Sequence, residues 1–119
     1  MKSKISGTEA VVRNHLQTFL EQRGIAAILA DYDDDARFYS EARIYRGKPE
    51  IQDFYTDFIG ALPDGAIENF ALRSMRVDRD IALITWSVGT DIPLGTDTFV
   101  VDDGRIVTQS FAMYAAGGQ

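Results

Sequence analysis

The sequence predicts an α+β fold in which helices pack against one face of a curved antiparallel sheet. Two observations carry that expectation. Up to residue 62 the apolar residues recur mainly at helical spacing, interrupted by two short extended stretches, and from residue 68 onward the period changes to two. Helices first and a run of strands second is the order of an α+β domain, and the strand–helix alternation that a parallel sheet requires is missing.

Each element has its own local reason. Ser6 and Glu9 have the spacing of a capping box, and Val12, His15, Leu16, Phe19 and Leu20 then fall on one stripe of a first helix. Gly24 suits its end. A short second helix is expected over 25–32, followed by an acidic turn and two extended segments over 36–40 and 42–46. A third helix restarts at Gly47 with Pro49 in its first turn, where a missing N–H does no harm. Ile51, Phe54, Tyr55, Phe58, Ile59 and Leu62 give that helix an apolar face, and Pro63-Asp64-Gly65 ends it. Four strands follow over 68–77, 81–90, 97–101 and 106–114, the last two joined at Asp102-Asp103-Gly104.

With 119 residues the chain has room for a single domain over 1–119 and one modest core. A content of 45% hydrophobic and 25% charged residues is that of a soluble globular protein, and the net charge of −6 repels a phosphate backbone, so no nucleic-acid partner is expected. The absence of cysteine removes disulfides, thiol catalysis and thiolate metal sites. The first residues lack the apolar run of a signal peptide and no stretch is long enough to cross a bilayer, which leaves a cytoplasmic protein with no membrane partner as the expectation. No glycine-rich phosphate loop or nucleophilic serine motif is present, and no cofactor is expected.

Among candidate ligands for a metal, Asp31, Asp33 and Asp35 match the opening of a calcium loop, but Ala36 and Ala42 stand where glycine and a bidentate glutamate are needed. A solvated turn is the better reading. His15 is the only histidine, so zinc has no support, and no metal is expected. On its apolar stripe His15 reads either as a core imidazole satisfied by one hydrogen bond or as a pocket group able to shuttle a proton. Asp97 shares a strand face with Phe99 and Val101. It is either wet at the sheet rim or desolvated, and a desolvated carboxyl stays protonated to higher pH and serves as a donor or general acid. Trp86 alternates with Ala82, Ile84 and Val88, which places it on the concave face. Val107, Gln109, Phe111 and Met113 share a face on the last strand, where Gln109 needs a partner or a ligand. Alone, each apolar residue reads as core. Together Trp86, Phe99, Phe111, Met113 and Tyr55 could line an apolar pocket carrying a few polar groups.

The acidic Asp34-Asp35-Ala36 leading into a strand, the Arg46-Gly47…Ile51…Phe54-Tyr55 helix start and the Phe99…Asp103-Gly104-Arg105-Ile106 hairpin resemble the nuclear transport factor two-like superfamily. Within it the likeness is to the SnoaL-like and ketosteroid isomerase-like branch. The resemblance implies a cone-shaped curved sheet wrapped around three helices, a deep apolar pocket for a small hydrophobic ligand or substrate, and homodimers paired through the outer sheet face. It implies no single reaction, because the fold hosts isomerases, cyclases, dehydratases, hydrolases and binding subunits. Residue by residue, it puts Asp97 at a protonated pocket aspartate, His15 at a first-helix tyrosine, and Ser40 at the strand position of a general base. Glu41 follows one position later and would face the other way without a bulge. Classical steroid isomerisation is therefore not expected. The expected function is cofactor-independent acid/base chemistry on a small hydrophobic carbonyl compound, as a cyclase, isomerase or dehydratase. In it Asp97 is the acid or oxyanion donor and His15 its partner. The alternative is a non-catalytic module that binds an apolar ligand.

Overall fold

Helix α1 spans Gly7–Leu20 in a computed structural model that describes residues 7–115. Ser6, half of the expected capping box, lies outside the described residues. The buried residues of α1 are Thr8, Val12, His15 and Thr18, one stripe at helical spacing. The chain leaves α1 at Leu20 rather than at Gly24, with Gln22 taking the positive φ of 55°. Gly24 instead precedes α2, which covers only Ile25–Leu29.

The next element departs most from expectation. The acidic stretch is not a turn: strand β1 runs Tyr32–Tyr39 and contains all three of Asp33, Asp34 and Asp35. The three carboxylates stay near water because the pairing shifts there, with Tyr32 opposite Ile106 but Arg37 opposite Thr108. Strand β2 (Ile44–Arg46) returns antiparallel to β1, and α3 follows over Gly47–Ala61, burying Ile51, Phe54 and Tyr55.

Strands β3 (Phe70–Asp78), β4 (Ile81–Val88), β5 (Ile92–Asp102) and β6 (Arg105–Tyr114) form the antiparallel meander. Asp103 and Gly104 both take positive φ, 51° and 77°, as the two-residue hairpin turn requires. Residues 92–95, expected as a separator, belong to β5. Pro93 is tolerated because it lies in an irregularity opposite Ser87, where no ladder N–H is demanded. A second irregularity leaves Val107 without a ladder partner, so Ile106, not Val107, joins Gln109 on the buried face.

The six strands make one curved, unclosed sheet in the order β2-β1-β6-β5-β4-β3. The sheet is not wholly antiparallel, since β1 and β6 pair in parallel. Helices α1 and α3 cover its concave face, and Val12, Tyr32, Phe38, Ile51, Ile84, Phe99 and Ile106 are its most buried side chains. Bulges concentrate twist and bend, and here they close the concave face around the helices. Among the described residues, no helix is long and apolar enough to cross a membrane.

Candidate functional site

Between α1, α3 and the concave face lies a cavity of about 70 Å³, large enough for a few waters or a small organic group. Phe38, Phe54, Phe58, Trp86, Phe99 and Phe111 supply most of its wall, and Asp97, His15, Tyr55 and Gln109 are its polar members. A wider hollow of about 540 Å³ adjoins it near residues 59–68, and Phe19, Leu62, Ala66 and Ile67 border both.

The polar residues are joined in one file. Trp86 Nε1 donates to Asp97 Oδ1 at 2.7 Å, and Gln109 Nε2 donates to Asp97 Oδ2 at 2.7 Å. Gln109 Oε1 accepts from the Tyr32 hydroxyl, which is 2.6 Å from the Tyr55 hydroxyl. Tyr55 Oη lies 3.3 Å from His15 Nε2, and His15 Nδ1 lies 3.0 Å from Asp31 Oδ2. Asn14 Nδ2 holds the other Asp31 oxygen at 3.2 Å. Among the described residues no buried side-chain nitrogen or oxygen lacks a partner. Strand period explains the convergence: Asp97 stands opposite Phe111 and Ile84, and Phe99 opposite Gln109, all on the inward pleat.

Burial sets the electrostatics. Asp97 is 8% exposed, and loss of hydration pushes its carboxyl up to about 6; the N–H groups of Trp86 and Gln109 and the charge of His15 pull in the opposite direction. Burial likewise raises Tyr32 well above the ordinary phenol value, with Tyr55 adding to it, and raises Tyr55. Both hydroxyls therefore stay protonated in neutral water. Asp97 is not at a wet rim.

Of the residues singled out in the sequence, Asp97, His15, Trp86, Gln109, Phe99, Phe111 and Tyr55 line this one cavity. Two do not. Ser40 lies past the end of β1, where its Oγ accepts from the N–H groups of Ala42 and Arg43 and donates to the Arg43 carbonyl. It caps the β1–β2 turn, because β1 ends at Tyr39 and its inward positions are Ala36 and Phe38. Glu41 sits in the same exposed turn. Met113 packs against the core beside Gly95 but does not border the cavity. The expected His15–Asp97 contact is also absent among the described hydrogen bonds: His15 is bonded to Asp31 and Tyr55, and reaches Asp97 only through the file.

Tyr32 and Asp31 were missed as members. The spacing of Tyr32 from Ala36 and Phe38 is a strand signal, but the intervening aspartates masked it as a turn.

Residues 12–109 match the SnoaL-like domain family. No curated protein matches the chain in sequence. Solved structures do match in shape. A SnoaL-like protein of unknown function from Burkholderia thailandensis has a TM-score of 0.75 at 16% identity, covering 97% of this chain and 100% of the other. A candidate polyketide cyclase from Sinorhizobium meliloti has a TM-score of 0.65 at 18% identity, covering 83% and 94%. TerC co-crystallised with polyporic acid has a TM-score of 0.70 at 14% identity, covering 92% of each chain. At these identities the structural likeness speaks for the fold alone, but the family match spans most of the sequence. The chain belongs to the SnoaL-like domain family of the nuclear transport factor two-like superfamily.

Proposed function

We propose that the cavity binds a small hydrophobic carbonyl compound and catalyses cofactor-independent acid/base chemistry on it, of the isomerase, cyclase or dehydratase kind. The observation that carries this reading is Asp97, a buried carboxyl at an aromatic-walled cavity whose proton affinity is raised to about 6. A group poised there is half-way between acid and base close to neutral pH, where proton transfer is most efficient. Both Asp97 oxygens accept N–H donors, so the geometry favours the carboxylate as the base, rather than the donor role expected from the sequence. Asp97 would take the proton next to the carbonyl, while His15 supplies an N–H donor for the developing enolate oxygen. The likeness to a candidate polyketide cyclase is compatible with such chemistry.

A second reading has its own support. Every polar group of the cavity already has a partner, and β1 contributes no carboxylate to the wall, which suits a module that binds without reacting. Incubation with small cyclic and aromatic ketones in D₂O separates the two. Protein-dependent exchange of the protons next to the carbonyl, lost in Asp97→Asn while the ligand-induced rise in Tm persists, supports catalysis. Ligand-induced stabilisation with no exchange supports the binding module. No stabilisation by any compound overturns both.

We also propose that two chains pair through the outer sheet face, where Ile81, Leu83, Leu94 and Tyr114 are 40–64% exposed.

A further inference from the structure

The hydrogen bonds of the cavity form a file between His15 and Asp97, and counting protons along its bonds leaves two self-consistent fillings. Tyr32 has one hydroxyl proton, which goes to Gln109 Oε1. The bond between the two tyrosines must then use the Tyr55 proton. That leaves Tyr55 only a lone pair to offer His15, so Nε2 carries hydrogen. Nδ1 does as well, because it faces the carboxylate oxygen of Asp31. In this filling His15 is an imidazolium and Asp97 a carboxylate.

The second filling reverses every bond and turns the Gln109 amide over. Asp97 O–H donates to Oε1, Nε2–H to Tyr32, Tyr32 to Tyr55, and Tyr55 to Nε2 of a neutral His15. Net charge is unchanged, and one proton has moved from His15 to Asp97. Protonating both ends sets two donors against each other somewhere in the file, and protonating neither sets two lone pairs together. Each mismatch lies among buried groups, where an unpaired donor or lone pair is costly.

We propose that Gln109, Tyr32 and Tyr55 form a proton relay that holds a single proton between His15 and Asp97 and hands it to either end. The groups facing the relay come from every packed element: Trp86 from β4, Gln109 from β6, Asp31 and Tyr32 at the start of β1, His15 from α1 and Tyr55 from α3. Neither lysine nor arginine is among the described cavity-lining residues, so no fixed cation pins the proton at one end. Burial keeps both tyrosines as phenols, so the relay passes the proton without storing charge.

The relay itself does not require turnover. If the acid/base reading holds, it explains how the site resets. Asp97 takes a proton from substrate carbon, His15 gives its Nε2 proton to another substrate atom, and the reversed file carries the proton from Asp97 back to His15. One proton leaves the substrate and one returns.

The chain has one histidine and one tryptophan, so the ¹⁵N signals of the His15 ring and the Trp86 indole report the two ends separately. Titrated without ligand from roughly pH 4 to 9, both signals in the wild-type protein are expected to follow the same two midpoints. In Tyr55→Phe, which keeps the ring and removes the O–H, each signal should follow a single midpoint of its own, and the two midpoints should draw closer. Separate single midpoints in the wild-type protein would overturn the relay, as would curves left unchanged by Tyr55→Phe. Should that variant not fold, the wild-type titration decides alone. Because no ketone is present, failure here is distinct from a failure of exchange in D₂O.

Discussion

The indole of Trp86 holds Asp97 from the neighbouring strand at 2.7 Å, and it can do so because its own cross-strand partner is Gly95. A Cβ built on Gly95 would stand 2.2 Å from Trp86 Cε2 and 2.3 Å from Cζ2. The indole therefore lies flat over bare backbone, with Phe70 and Phe111 roughly parallel to it at 5.8 Å and 6.3 Å. The missing side chain two residues from Asp97 fixes the direction from which the carboxylate is held.

Gly95→Ala is expected to push the ring off the strand and break its bond to Asp97. A methyl forced into a packed wall costs about 1–3 kcal/mol. The expected result is a lower denaturation midpoint together with altered Trp86 fluorescence, and a further rise in the Asp97 carboxyl titration because one stabilising N–H is lost. Unchanged fluorescence would show that the strand backbone yields to the methyl and the ring keeps its place.

The raised Asp97 gives stability a definite slope with pH. An unfolded aspartate titrates near 3.9, and the folded group at about 6, so between those values the folded chain binds the extra proton. Stability contributed by Asp97 is full below the lower value and falls as pH rises through the upper one. A difference of roughly two pH units corresponds to about 3 kcal/mol, lost between pH 4 and pH 6–7. Asp97→Asn removes this titration and should flatten that part of the curve. Urea midpoints at pH 4, 5, 6 and 7 for both proteins measure the difference.

The inward face of β5 was legible because Asp97, Phe99 and Val101 keep strict alternation, and α3 because six apolar residues mark one stripe. What pattern could not show is where the alternation breaks. The three-residue excess in β1 brings Tyr32 under the helices and leaves Ser40 past the strand end, so Ser40 does not reach the pocket position that the resemblance implied for it. Asp31 is beside His15 only because α1 and the start of β1 converge, a contact between residues 16 apart that no local period encodes. Likewise, the burial of Asp97 depends on helices packed over it, so the strand alone left it open between rim and pocket.

The proposed pairing of two chains through the outer sheet face has a direct test. Leu83 and Ile81 on β4 and Leu94 on β5 are 40%, 47% and 50% exposed on the outward pleat, with Tyr114 at 64%. Burying such residues against a second copy is favourable by about 25 cal/mol per Å² of apolar surface. Leu83→Lys is therefore expected to shift a dimer toward monomer in sedimentation, with little change in the His15 and Trp86 titrations, since Leu83 points away from the cavity. A wild-type monomer at high concentration would exclude the dimer.

The inner cavity of about 70 Å³ admits only a compact group, yet Phe19, with Leu62, Ala66 and Ile67, borders both it and the 540 Å³ hollow. Phe19 packs on Phe58 at 6.1 Å and is only partly buried, so its truncation should cost less than the 3–5 kcal/mol typical of a fully buried phenylalanine, about 2 kcal/mol. Phe19→Ala is expected to join the two spaces while leaving Asp97, Gln109 and Trp86 in place. Ligands with a second ring should then gain affinity relative to single-ring ketones, read as a larger rise in Tm over the lowered baseline. The Asp97 titration should move down from about 6 toward the ordinary carboxylate range, because water entering the joined space relieves the burial that raises it. Equal gains for small and large ligands would mean that the hollow is not an extension of the site.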